Sequence, residues 1–224
     1  MLRKGILTTV VLLMAVGVGG VYFSFKGNPI ELNRTNTRVI EYVNKQYPSL
    51  EVVKVEPWYN FKFNSYGAYV HIDRQEPSTF NIEFYPSGDV VDNYVHLKLE
   101  KEARIMLMPH IKEMIPELET LSTGVSLDVG NHYDEHTAFT NKLPVSVHVD
   151  IRWAEEIDRQ QFIDKVIKVR DTLKHSGFNI SNYHFSCAIN QGKHSYSLSL
   201  EQNILNISKD ELLNSREVYL IDSP

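Results

Sequence analysis

His132-Tyr133-Asp134-Glu135-His136 has the residue types and spacing of an inverted zinc-hydrolase motif, H-x-x-E-H. On a helix, residues four apart share a face, so both imidazoles would reach one zinc and Glu135 would stand by its bound water as a base. The neighbouring sequence opposes that geometry. Gly130 and Asn131 precede the motif, no helical periodicity follows between Thr137 and Pro144, and the flanking runs have strand character. The expectation is a surface loop with no assigned metal site; His132, Glu135 and His136 are the set a metal-dependent hydrolase would need.

Cys187 is the only cysteine, which excludes an intramolecular disulfide and a thiolate metal cluster. A strand sends residues three apart to opposite faces, so His184 is badly placed to serve Cys187 as a base. Cys187 is expected to be a buried small hydrophobe. The run Val145–Trp153 alternates strictly, with Val145, Val147, Val149 and Ile151 on one side and Ser146, His148, Asp150 and Arg152 on the other. That polar row is expected to be the wet face of a half-buried strand. Trp58, Tyr59, Phe61, Phe63, Tyr66 and Tyr69 form the densest aromatic stretch. Exposed, such rings stack on sugars or pack against a partner; buried, they are cross-strand core. Trp58 and Tyr59 are the candidate binding residues. No catalytic residue and no cofactor is expected: there is no phosphate-binding glycine loop, nucleophile elbow or paired-cysteine motif, and Glu83, Asp89 and Asp92 are scattered carboxylates at hairpin positions.

The elements that must position these residues alternate between helix and strand patterns. A helix is predicted from Thr37, capped by Asn36 and stopped by Pro48, with Val39, Ile40, Val43 and Tyr47 at helical spacing. Strand runs follow at Leu50–Tyr59, Ala68–Asp73, Thr79–Tyr85 and Val90–Val95, the last two joined by the hairpin signal Pro86-Ser87-Gly88-Asp89. A charged helix starts near Leu97 and is expected to kink or break at Pro109. Strands at Leu121–Val129 and Pro144–Trp153 precede a helix with Asp158 and Gln161 as a capping box and Gly177 as its stop. Strands at Asn182–Ile189 and Ser195–Gln202, a short helix near Lys209–Leu213 and a last strand-like stretch complete the pattern. The fold class predicted is α+β, with antiparallel-sheet lobes and helices packed on one face.

The 224 residues are 42% hydrophobic and 11% aromatic, enough apolar area for one large or two small cores. From Gly5 to Phe25 there is no charged residue, a run that as a helix measures about 31 Å and spans a bilayer. Arg3 and Lys4 before it place the N-terminus in the cytoplasm, and Tyr22, Phe23 and Phe25 crowd its far end as an interfacial belt does. Retention as a transmembrane helix is preferred to cleavage as a signal peptide. The predicted organisation is a cytoplasmic N-terminus (1–4), a transmembrane helix (5–25), a polar linker (26–36), a first α+β lobe (37–118) and a second (119–224). Beyond Arg3 and Lys4 the chain carries 21 basic against 28 acidic residues. That sign repels phosphate backbones and argues against nucleic-acid binding.

The N-terminal anchor, the short helix before Pro48, the aromatic strand after it and the Phe84-Tyr85-Pro86-Ser87-Gly88 hairpin together resemble the YfjL-like family of small Gram-positive membrane-anchored proteins. The resemblance implies a bacterial cell-envelope setting and brings no catalytic residues with it. The function expected is therefore a single-pass membrane protein whose extracytoplasmic part binds an envelope protein or cell-wall partner without catalysis. The alternative is the metal-dependent hydrolase of the H-x-x-E-H pattern.

Overall fold

Gly27, Asn28 and Pro29 look like breakers in the sequence, but together they start a helix. Asn28 is extended, with φ −79° and ψ 122°, and its Oδ1 accepts the Ile30 N–H at 2.9 Å. Pro29 takes the first helical position, where its missing N–H costs nothing. The helix, α1, runs Pro29–Gln46, so most of the expected linker at 26–36 is helical. The computed structural model describes residue 19 and residues 24–73, 77–116, 118–127, 133–152, 157–189, 194–201, 206–214 and 219–222.

The chain divides into two compact units, Met1–Leu97 and Lys98–Pro224. The first is α1 followed by four strands, β1 (Val52–Asn60), β2 (Ser65–Ile72), β3 (Thr79–Phe84) and β4 (Val90–Asp92), paired in that order and all antiparallel. Thr35, Val39 and Val43 recur every four residues on α1 and are buried. The matching sheet face supplies Ala68, Val70, Phe80, Ile82 and Phe84. Tyr42 and Tyr47 at the end of α1 both donate to Asp92, at 2.5 and 2.7 Å, and Asp92 Oδ1 also accepts the Tyr94 N–H at 3.0 Å. Burial, then these bonds, raises both phenols above the ordinary tyrosine range.

Helix α2 (Tyr94–Met114) begins in the first unit and continues into the second. The seam at Leu97/Lys98 thus falls earlier than the expected boundary at 118/119, because most of this helix belongs to the second unit. Of the expected kink or break at Pro109 there is no break: α2 runs through the proline. Its stripe Leu99, Ala103, Leu107 and Ile111 is buried on both sides of the proline, and that packing offsets the roughly 3 kcal/mol an interior proline costs.

The second unit holds a five-stranded sheet in sequence order: β5 (Leu118–Val125), β6 (Val145–Arg152), β7 (Ile180–Ile189), β8 (His194–Glu201) and β9 (Tyr219–Asp222). Between β6 and β7 lies helix α3 (Arg159–His175), with both halves of the Asp158/Gln161 capping box formed. Gly177 follows it at φ +77°. This crossover makes β6 and β7 parallel, so the expected all-antiparallel lobe is in fact a mixed sheet. A strand–helix–strand connection permits that pairing where a tight turn does not. Phe162, Ile163, Val166, Val169 and Leu173 of α3 are buried, as are Tyr183, Phe185, Cys187, Leu198 and Leu200 on the sheet. A short helix, α4 (Lys209–Asn214), buries Leu212. The fold is α+β.

Among the described residues no helix is long and apolar enough to cross a membrane. The run 5–25 predicted to do so lies outside the described residues apart from Gly19, Ser24 and Phe25.

Candidate functional site

Alternation along β1–β3 sets one face of the first sheet against α1 and leaves the other with chemistry-bearing side chains. The pairing aligns them in rows across three strands: Lys54, His71 and Thr79; Glu56, Tyr69 and Asn81; Trp58, Gly67 and Glu83. Gly67 decides how Trp58 lies. A Cβ there would stand 2.7 Å from Trp58 Cη2 and 2.5 Å from the Ile82 carbonyl oxygen. The indole therefore rests on bare backbone, and its Nε1 donates to Asn81 Oδ1 at 3.2 Å. Tyr69, 51% exposed, is its ring neighbour at 6.3 Å between centroids.

Acceptors surround this pair. Glu83 takes hydrogen bonds from the Ser65 hydroxyl, from Tyr85 OH at 2.8 Å and from Asn60 Nδ2 at 3.4 Å. The bond to Glu83 raises the Tyr85 phenol. Glu56 is paired with Lys54, whose hydrogen bond and charge hold its carboxyl below the usual range, and it faces His71 Nε2 at 3.5 Å. His71 Nδ1 lies 3.0 Å from Thr79 Oγ1. The result is a flat, fixed aromatic with carboxylate and amide oxygens beside it. Such a surface can stack on an apolar ring face and accept hydrogen bonds from its hydroxyls.

Trp58 and Tyr59, paired as candidates in the sequence, do not share a site. Adjacent strand residues point to opposite faces. Tyr59 packs against Tyr66, the rings tilted by 40° with centroids 4.8 Å apart, and lies against Gly27, which has φ +78°, while Tyr66 OH accepts the Asn28 N–H at 3.0 Å. Tyr59 thus secures the start of α1. The residues that join Trp58 are Tyr69, Asn81 and Glu83. Their signal was the small Gly67 beneath a tryptophan, legible only once the β1–β2 register is known.

The H-x-x-E-H segment is not helical where it is described. Asp134–Thr137 is a turn closed by Thr137 N–H to Asp134 O at 3.1 Å, with Asp134 Oδ1 also accepting from His136 N–H and the Thr137 hydroxyl. Lys98 on α2 donates to the Glu135 and Thr137 carbonyls at 2.9 and 2.6 Å, and Glu102 accepts the Phe139 N–H at 2.7 Å. The helical face that the motif requires is absent at Glu135 and His136; His132 lies outside the described residues. Among the described residues no group of three His, Cys, Asp or Glu side chains is placed to hold a metal.

Cys187 is fully buried, and burial pushes its thiol up to about 12. His184 is on the other face of β7, with Nδ1 2.9 Å from Ser199 Oγ. Ser146, His148 and Asp150 align with Asn182, His184 and Ser186 across β6 and β7; the side chains of 147–152 lie outside the described residues.

Two sheet units, each with its own helices and joined through one helix, define a two-domain α+β protein. Family models agree with that division. One described as YfjL-like, N-terminal domain matches residues 2–94, and one described as YfjL-like C-terminal domain matches residues 102–214. The chain belongs to the YfjL-like family, and the gap between the two matches spans the seam at Leu97/Lys98. No curated protein matches it. No solved structure does either.

Proposed function

We propose that this is a single-pass protein of the bacterial cell envelope, anchored through residues 5–25 with its two domains outside the cytoplasm. On this reading it binds a cell-wall saccharide, without catalysis, on the outer face of β1–β3. The uncharged run and the basic Arg3 and Lys4 before it support the anchor. The observation that carries the binding role is the Trp58 indole, its benzo ring packed close on Gly67, tethered to Asn81 and flanked by Tyr69 and Glu83. An aromatic held in place before binding loses little entropy on contact, so its area converts to affinity efficiently. The turn at Asp134–Thr137 weighs against the hydrolase alternative.

The test is co-sedimentation of the detergent-solubilised full chain with purified cell-wall sacculi. Binding weakened about 30-fold by Trp58→Ala, a loss of about 2 kcal/mol, is the expected result. Sedimentation unchanged by that substitution would remove the platform from the reading.

A further inference from the structure

The loop joining β1 to β2 ends in two rings that the first unit leaves uncovered. Phe61 is 52% exposed and Phe63 60%, with Lys62 between them and Asn64 at φ 49° completing the turn. Neither ring belongs to the core, which lies farther along the sheet at Ala68, Val70 and Ile82. Beside this tip stands Phe25, 59% exposed, its ring centroid 5.4 Å from that of Phe61. Phe25 is also the last residue of the uncharged run that starts at Gly5, and Lys26 follows it. Tyr85, from the neighbouring hairpin at the same end of the sheet, lies 6.4 Å from Phe63.

Wherever the chain leaves the apolar slab, Phe25 marks the boundary, and its contact with Phe61 puts the hairpin tip at that depth. Aromatic rings with a flanking lysine suit such a boundary: the rings enter the acyl–headgroup region and the ammonium stays with the headgroups. We propose that the β1–β2 hairpin tip, Phe61-Lys62-Phe63, is a second membrane contact that seats in the outer bilayer interface beside the anchor. This rests on the anchor reading. Seating the tip would fix the tilt of the first sheet against the bilayer and hold the Trp58 face at a set height above it.

The test uses the full chain reconstituted in phosphatidylcholine vesicles containing phosphatidylglycerol. Both native tryptophans are replaced (Trp58→Phe, Trp153→Phe) and one reporter is added, either Phe63→Trp at the tip or Val53→Trp. Val53 is exposed near the far end of β1, about 23 Å from the start of the tip loop at 3.3 Å per residue. The expected result is blue-shifted emission for Phe63→Trp, quenched several-fold more than Val53→Trp by lipids brominated high on the acyl chain. Equal, weak quenching of both reporters in chains that resist alkaline carbonate extraction would overturn the hairpin contact and leave the anchor standing. Release of the chain by carbonate would overturn the anchor itself.

Discussion

Gly67→Ala tests whether the geometry under Trp58 is as tight as the distances state. The new methyl would stand 2.5 Å from the Ile82 carbonyl oxygen and 2.7 Å from Trp58 Cη2, where such contacts settle near about 3.5–4.0 Å. The indole can swing away, but doing so gives up its bond to Asn81, about 1 kcal/mol. Ile82 is backbone inside the β2–β3 ladder, so the strand itself must shift, an overpacking strain of about 1–3 kcal/mol. Alanine's smaller unfolded-state entropy offsets about 0.4–1 kcal/mol of this. The net expectation is a loss of about 2 kcal/mol, with a change in Trp58 emission. Equilibrium urea unfolding of the full chain in detergent reads the first, and fluorescence in a Trp153→Phe background reads the second. In a Trp58→Ala background the cost of Gly67→Ala should fall by about 1 kcal/mol, because only the carbonyl clash remains. Stability within about 0.5 kcal/mol of the parent, with unchanged emission, would refute the reasoning.

Tyr47→Phe should cost about 1–3 kcal/mol in the same unfolding assay, because half-buried Asp92 loses a charge-assisted donor. Tyr42 and Tyr47 both have folded pKa values raised above the unfolded value near 10. Their contribution is therefore complete below that pH and is lost as pH rises from there towards the raised folded values; unfolding curves at increasing alkalinity should show the decline, and Tyr42→Phe/Tyr47→Phe should flatten it. Cys187, buried with its thiol near 12, should resist thiol reagents until denaturant is added, a difference that a colorimetric thiol assay measures. Lys98→Met should free the Glu135 and Thr137 carbonyls and speed amide exchange across 134–139 while leaving sacculus binding intact. Zinc titration followed by calorimetry should detect no tight stoichiometric site involving Glu135 and His136.

Most elements are legible in the sequence because their signals are local. The Pro86–Asp89 hairpin, the Asp158/Gln161 capping box and the stop at Gly177 each depend on a few neighbouring residues, and each is present. The start of α1 is not legible because Gly27, Asn28 and Pro29 carry the same preferences in a linker as in a helix N-terminus. Continuity through Pro109 depends on a buried stripe whose partners are distant in sequence. The parallel β6–β7 pairing follows from the helix between them, a topological inference that strand alternation does not convey. The candidate site was half legible. Trp58 stands out by residue type, whereas Tyr69, Asn81 and Glu83 join it only through register across three strands. Tyr59 is adjacent to Trp58 in sequence, which in a strand means the opposite face.

The most direct test of the central claim is photo-crosslinking in intact cells from position 69, beside Trp58 on the exposed sheet face. The account predicts capture of saccharide-bearing cell-wall material from that position, lost on Trp58→Ala and absent from a crosslinker at Ser199 on the second sheet. Capture that survives Trp58→Ala, or that occurs equally at Ser199, would contradict it.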